Sequence, residues 1–550
     1  MKTFKSVMFR SVNNLKEGFI TFEKWRWLAA VLFIIYGAQA VSNNISVTNI
    51  RLTGQDPDEN YTMVEFDISW DNSWRVSSGP SNWDAAWVFV KIRTGNQPWQ
   101  HALLNNTGHT APSGSTIDIG LLSPGSPFHI TSNPGMGAFI YRISDGTGTF
   151  SLTDVQLRWN YGANGIGDDD VVDFQVFAIE MVYVQQGSFY VGDGTITTVT
   201  NQLSAHNTTA AFQITGEAAL TLGGTDNGNL GNRNNTGMFV ADDFSYSVTQ
   251  ILPEVFPKGY SSFYCMKYEL TQQGYVGFLN TLTRDQQNMR TATDLSTGIT
   301  TVTNRYVMSN TGTVSFRNGI RCEGTIDAND PIVFYCDFNS NGTPNEPCDG
   351  QTIACNWLTW ADVAAFLDWS SLRPMTELEL EKACRGPITP VANEYAWGST
   401  SITGHTGITN SGCANEIPSN SANAANSNLI SRRYPFRTGA FAKSGSTRVQ
   451  AGAGYYGVME VSGNLFERVV SVGNSAGRLF DGKHGNGLPD TAGDADVVNW
   501  PGTDAIGIGH RCGDFRLSTT WLRLSDRSSA AETFAGRLER VGIRGVRNTP

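Results

Sequence analysis

Between residues 41 and about 177, apolar and polar side chains alternate with a period of two. Val64-Glu-Phe-Asp-Ile-Ser-Trp70 does so cleanly, Trp87-Val-Phe-Val-Lys-Ile92 does so in part, and Val155-Gln-Leu-Arg-Trp159 repeats the pattern. Such alternation marks strands with one buried and one wetted face. Turn formers at Ser78-Gly-Pro-Ser-Asn82 and Asn133-Pro-Gly135 separate them, and no helical period intervenes, which predicts an all-β sandwich over 41–177. His101 and His109 lie in this stretch without a third ligand at metal spacing, so both read as structural histidines with satisfied rings. Near residue 176 the pattern changes. Phe177 to Val184 is apolar on both faces apart from Glu180, and Gly187 to Gly192 reads as the start of a hairpin.

Helical spacing follows. Tyr275, Phe278, Leu279 and Leu282 share one face, and Thr359-Trp-Ala-Asp362 caps a helix carrying Val363, Phe366, Leu367 and Trp369. Thr376-Glu-Leu-Glu379 is a capping box behind Pro374, with Gly386 just past the end of a third short helix. Beyond residue 385 the chain is rich in Gly, Asn and Ser, with short strands. Few helices against a small sheet, with long ordered loops, predict an α+β domain over 178–550 whose function sits on loops.

Composition narrows the class. Charged residues are 16% of the 550, against roughly 25% in an average soluble domain, while aromatics reach 11%. Such a chain buries enough apolar area to order itself, which excludes disorder. With 50 acidic and 39 basic residues the net charge is −11, so a general nucleic-acid binder is excluded as well. At the amino terminus Lys16, Lys24 and Arg26 precede the apolar run Leu28 to Gly37 and the small residues Ala38-Gln-Ala40. That is the layout of an export signal over 1–40, and it predicts a mature chain outside the cytoplasm, periplasmic, at the cell surface or extracellular. The run is shorter than the roughly 20 residues of a membrane span; an uncleaved anchor is the alternative, and no later stretch predicts a transmembrane span. Eight cysteines at 265, 322, 336, 348, 355, 384, 413 and 512 fit disulfides in that compartment. Cys322, Cys336, Cys348 and Cys355 crowd one stretch they are able to staple; no pairing follows from spacing, and buried thiols are the alternative.

Several landmarks carry a resemblance. Met181-Val-Tyr-Val-Gln-Gln-Gly-Ser-Phe189, Lys267-Tyr-Glu-Leu-Thr271 with Phe278-Leu279, Leu372-Arg-Pro-Met-Thr-Glu-Leu-Glu-Leu-Glu381, Ala383-Cys-Arg-Gly386, Tyr395-Ala-Trp-Gly398 and Tyr456-Gly-Val-Met-Glu-Val-Ser-Gly-Asn-Leu-Phe-Glu467 occur in that order. Together they resemble the formylglycine-generating enzyme (sulfatase-modifying factor) family over roughly 178–550. The resemblance implies a C-type-lectin-like fold. It also implies a copper-binding cysteine pair after an Arg-Gly-Gly-Ser strand, and this chain departs there: Arg511-Cys-Gly-Asp-Phe515 stands for the strand, and no cysteine lies between 513 and 541. Without soft thiolate ligands no Cu(I) site is expected.

The segment Gly509-His-Arg-Cys-Gly513, Leu522-Arg-Leu-Ser-Asp-Arg527, Ala530-Ala531 and Gly542-Ile-Arg-Gly-Val-Arg547 is similar to the carboxy-terminal region of variable proteins of diversity-generating retroelements. Cys512 and Ile543 are departures from that framework. The resemblance implies a displayed recognition surface within 509–547. Residues filling its gaps are Asp514, Phe515, Arg516, Ser518, Thr519, Thr520, Trp521, Ser528, Ser529, Glu532, Thr533 and Phe534. They mix rigid aromatics with small polar groups, as recognition surfaces do, with Phe515 and Trp521 as anchors. Arg523, Asp526, Arg527, Arg544 and Arg547 would be framework, with Asp526 fixing the loop through a neighbouring arginine.

For metals, the resemblance implies Ca²⁺ held by Glu460, Gly463, Leu465 and Glu467. Hard oxygen ligands at that spacing suit the ion. Asp337, Asn339 and Asn341 carry alternating oxygens before Gly342, but Cys348 stands where a Ca²⁺ loop needs a bidentate Glu, leaving ion site and disulfide-stapled turn as equal readings. Gly473-Asn-Ser-Ala-Gly477, with His484 downstream, matches a nucleophile elbow in spelling only, because Arg478 to Gly482 breaks the helix such an elbow requires. The expectation is an exported, non-catalytic protein that binds a protein or cell-surface ligand. Its alternatives are an oxygen-dependent sulfatase-modifying enzyme and a structural part of a cell-surface or secretion assembly.

Overall fold

Trp87, Phe89 and their neighbours explain the architecture, because the strand that carries them is apolar on both sides. In the computed structural model, which describes residues 44–194, 201–206, 208–427 and 430–550, nine of the eleven residues of Asp84–Thr94 are buried. Ala86, Val88, Val90 and Ile92 face one apolar cluster together with Val64, Phe66, Ile68, Val155 and Leu157. Ala85, Trp87 and Phe89 face another with Phe366, Trp369, Tyr264 and Phe278. This strand is therefore a wall between two cores.

The sheet that contains it has eight strands, in the order Arg373–Pro374, Gly545–Asn548, Phe263–Met266, Val172–Val184, Asp84–Thr94, Gly135–Arg142, Ser115–Leu121, with Gln100–His101 paired beside Asp84–Thr94. All its pairings are antiparallel. A separate three-stranded sheet, Ser46–Asp56, Tyr61–Arg75 and Gly146–Trp159, lies against the first cluster. The alternating segments at 64–70, 87–92 and 155–159 are strands, and Phe177 to Val184 lies in the long strand Val172–Val184.

The boundary expected between 177 and 178 falls inside that strand. Val172–Val184 pairs with Asp84–Thr94 residue by residue and with Phe263–Met266 on its other edge. Ala38–Pro550 forms one compact unit. Several hydrogen bonds cross the expected boundary in buried surroundings: Trp87 Nε1 donates to the Ser370 carbonyl (2.9 Å), Lys91 Nζ to the Trp369 carbonyl (2.7 Å) and Asn82 Nδ2 to the Tyr456 carbonyl (2.7 Å). The export signal expected at 1–40 lies outside the described residues, among which no helix is long and apolar enough to cross a membrane.

Helices are few and short, and their starts follow the capping signals. Thr359 and Thr376 close capping boxes with Asp362 and Glu379 and open Trp360–Trp369 and Glu377–Arg385. The first expected helix runs Gln272–Leu279 and stops before Leu282; a further helix, Arg284–Arg290, opens on the capping box of Thr283 and Gln286. The hairpin expected at 187–192 takes a different partner: Phe189–Val191 pairs with Phe212–Ile214. Of the eight cysteines, Cys348 and Cys413 form a disulfide, and the other six are buried thiols.

Candidate functional site

The stripe Glu377, Glu381, Arg385 sits at successive i, i+4 positions of Glu377–Arg385 and holds the carboxy-terminal loops. Arg511 donates from Nη1 to Glu377 and from Nη2 to Glu381, each at 2.7 Å. Arg527 donates from Nε to Glu377 (2.7 Å) and from Nη1 to Asp242 (2.7 Å), and Arg385 joins Glu381 (2.7 Å) and Glu394 (2.5 Å). All of these side chains are buried. Burial opposes the charge on Glu377, but Arg527 and Arg511 outweigh it and keep the carboxyl below its ordinary range. Arg385 Nη2 also binds Ser525 Oγ (2.9 Å), and Arg511 Nε binds the Asp526 carbonyl (2.9 Å). The two ends of the loop 512–526 are thereby tied to one helix.

Between those ties the expected recognition residues separate by exposure. Arg516, Ser518, Thr519, Thr520, Thr533 and Phe534 are exposed, and Trp521 and Glu532 are half-buried. Trp521 stacks on exposed Phe239 with ring centroids 5.1 Å apart and planes 11° apart. Asp514, Phe515, Ser528 and Ser529 are buried. Phe515 packs with Ala354 and Leu465, so this anchor is a core aromatic. Asp514 Oδ1 accepts the Arg516 N–H (2.6 Å). Ser528 donates to the Asp526 carboxylate (3.1 Å), and the Ser529 carbonyl accepts the His510 N–H (2.9 Å). Phe239 is the partner that sequence reasoning missed, because it lies nearly 300 residues upstream; its N–H donates to the Ser528 carbonyl (2.9 Å).

Cys512 takes φ 63°, a left-handed conformation that costs glycine nothing. Its thiol is buried and held well above the ordinary range, first by desolvation. Arg544 and Arg547 are buried: Arg544 Nε donates to Glu467 (2.8 Å), and Arg547 lies over the Trp87 ring at 4.4 Å.

A second cluster lies beneath. Glu467 shares its surroundings with Glu460 and with Glu269, which the sequence offered only as part of a motif. Glu269 Oε1 accepts the Leu465 N–H (2.9 Å), and Glu460 Oε1 accepts the Gly439 N–H (2.8 Å). Glu460 Oε2 is buried with no hydrogen-bond partner among the described residues. Burial raises all three carboxyls, and the Glu467 charge adds to this at Glu269; burial carries Glu460 to about 7 against the pull of Arg544 and Arg437. An unmatched carboxylate oxygen among oxygen donors suits a hard cation. Glu467 Oε1 is engaged by Arg544, however, and no three His, Cys, Asp or Glu side chains converge as a metal cage among the described residues. A cation there has to draw on the backbone carbonyls of Gly463 and Leu465.

The loop at 337–342 closes on itself. Asp337 binds Arg321 and accepts the N–H groups of Asn341 and Gly342 (both 3.1 Å), while the Asn339 and Asn341 side chains donate to Glu346. The Cys348–Cys413 disulfide fastens its far end. His484 Nε2 accepts the Asn548 N–H (3.0 Å) and is buried, whereas Ser475 is exposed, so no Ser–His pair forms. His109 is satisfied by the Asn105 carbonyl (3.0 Å) and the Arg158 N–H (3.1 Å), and His101 contacts Lys91 Nζ (3.0 Å) and the Met136 carbonyl (2.5 Å).

An eight-stranded antiparallel sheet with few helices, long tied-down loops and a capped Thr-Glu-Leu-Glu helix beside a buried arginine lattice is a scaffold of the sulfatase-modifying-factor type. The sequence model of the sulfatase-modifying factor enzyme 1-like domain matches residues 257–549, and the chain belongs to that family. The match begins after the segment 181–189, which lies outside it. Comparison with curated proteins finds no match.

Proposed function

We propose that this protein is an exported, non-catalytic ligand-binding protein, a β-sandwich followed by a C-type-lectin-like domain that displays a recognition surface. The surface comprises Arg516, Ser518, Thr519, Thr520, Trp521, Thr533 and Phe534, with Phe239 added. One observation carries the reading: half-buried Trp521 and the exposed side chains of Arg516, Ser518, Thr519 and Thr520 sit on a loop whose ends are clamped by the buried Arg511–Glu377–Arg527 lattice. A clamped loop tolerates exchange of its outward side chains, and the aromatic pair supplies contact area at little entropic cost. The missing cysteine pair between 513 and 541 supports a role without oxidase chemistry. The similarity of 509–547 to retroelement variable proteins supports a surface open to diversification.

The test is genetic and then biochemical. An imperfect repeat of the final coding segment, differing mainly at adenines beside a reverse-transcriptase gene, supports the reading; identical termini in sibling strains without such a repeat count against it. Oxygen-dependent turnover of a cysteine-containing sulfatase peptide overturns the non-catalytic reading. Ca²⁺ is proposed at Glu460 and Glu467 with the Gly463 and Leu465 carbonyls, where it would offset clustered carboxylate charge. A ligand bound only to the native state raises its stability, so excess chelator is expected to lower the melting temperature. An unchanged melting temperature removes the site.

A further inference from the structure

On the two-stranded ladder of Glu467–Val470 and Ile508–Arg511, Arg468 is paired with His510. Cross-strand partners project to the same face and successive residues to opposite faces. Arg468 and His510 therefore lie on the face away from Glu467 and Arg511. The Phe466 ring is 5.1 Å from the His510 ring, and the Arg540 guanidinium lies 5.5 Å over Phe466.

Arg468 and His510 are 3% and 5% exposed, yet their donors are mostly unused. Arg468 makes one hydrogen bond, from Nη1 to the Phe534 carbonyl at 2.9 Å. Its Nε and Nη2, and Nε2 of His510, are buried with no partner among the described residues. A buried guanidinium ordinarily fills its five donors with carboxylates and carbonyls, as Arg511 and Arg544 do here with four bonds each. The nearby carboxylates are shared among several cations. Asp362 holds Arg537 at 2.6 Å and lies 3.6 Å from Arg290, which reaches Asp494 at 2.7 Å, and Asp514 lies 3.7 Å from Arg540; Asp362 Oδ1 and Asp514 Oδ2 make no hydrogen bond among the described residues. Four guanidiniums, those of Arg290, Arg468, Arg537 and Arg540, thus face three carboxylates, in a chain of net charge −11.

We propose that Arg468, His510 and Arg540 form a binding site for an oxyanion, which supplies the acceptors these donors lack. A sulfate or carboxylate group matches the planar fork of Arg468. The cluster lies close to the surface: Phe534, whose carbonyl Arg468 holds, and its neighbour Thr533 are exposed, and Arg540 is half-exposed. The site follows from the ladder and does not depend on whether 516–521 binds a target. Its occupant is a free ion or an acidic group on a larger ligand, and the two differ only in what continues beyond the anion.

Calorimetric titration of the full chain with inorganic sulfate, at ionic strength matched with chloride, tests this. Saturable binding at millimolar sulfate is expected. Arg468→Met is expected to weaken it by about tenfold or more, since it removes a charge-assisted fork, and Arg540→Gln to weaken it less. Arg468→Met replaces an unpaired buried cation by an apolar chain and is expected to fold; if it does not, Arg540→Gln and the native titration decide. A parallel titration with methyl sulfate separates the sources: binding of both anions marks a site open to a group on a larger ligand, and binding of sulfate alone marks a site for the free ion. No saturable heat with either anion, or undiminished binding in both variants, overturns the proposal.

Discussion

Glu377 accepts hydrogen bonds from two buried guanidiniums and from the Val472 N–H (2.9 Å). Glu377→Gln leaves buried Arg511 and Arg527 short of a countercharge, which is expected to cost about 3 kcal/mol or more of unfolding free energy, read by urea denaturation. Asp368 behaves in the opposite sense. It is buried, its oxygens accept the N–H groups of Asn486 (2.8 Å) and Asp496 (3.2 Å), and desolvation raises it to about 7. The native state then holds its proton more tightly than the unfolded chain, so this group's contribution is greatest below about pH 4 and falls as pH rises to about 7. At roughly 1.4 kcal/mol per pH unit the loss approaches 4 kcal/mol. Asp368→Asn is expected to flatten that part of the stability profile; an unchanged slope refutes the assignment. The residue scale was partly legible: Arg527, Arg544 and Arg547, singled out from their motif, are buried, whereas nothing in the motif said that Arg511 would bind two glutamates. Phe239 was not legible, because a stacking partner distant in sequence leaves no local signal.

The caps were legible because their chemistry is local. Thr359 and Thr376 each use a hydroxyl and a carboxylate three residues on, and Thr359→Ala is expected to cost about 1 kcal/mol, measurable by thermal melting. The helix Arg284–Arg290 carries the same signal at Thr283 and Gln286 but has a polar sequence, so periodicity alone passes over it. Strand partners are another matter. Phe189–Val191 has a hairpin's look, yet its partner Phe212–Ile214 lies twenty residues on, and no alternation pattern names a partner at a distance. The loop 512–526 was legible as a candidate surface, but its buried half was not. Phe515 is distinguished from Trp521 only by what packs on it.

Across the whole molecule, the sequence suggested two modules and the sheet joins them. An apolar strand with both faces buried, such as Asp84–Thr94, reads as a core strand but does not say that each face belongs to a different cluster. A chain beginning at residue 178 would lose Asp84–Thr94 and the first half of Val172–Val184, leave the edge of the remaining 178–184 open and uncover Trp369. It is expected to aggregate, whereas the whole protein is expected to unfold in a single calorimetric transition. Separate transitions would contradict the shared sheet.

The strand Gly545–Asn548 lies between Arg373–Pro374 and Phe263–Met266, downstream of the loop 512–526. The sheet cannot close on the ribosome until residue 548 has been made. A stop codon or frameshift anywhere in the 509–544 coding region therefore removes an interior strand rather than trimming a tail. Truncated products are expected to fail to fold and to be open to proteolysis, so the architecture makes folding of the whole chain depend on a reading frame intact through its last strand.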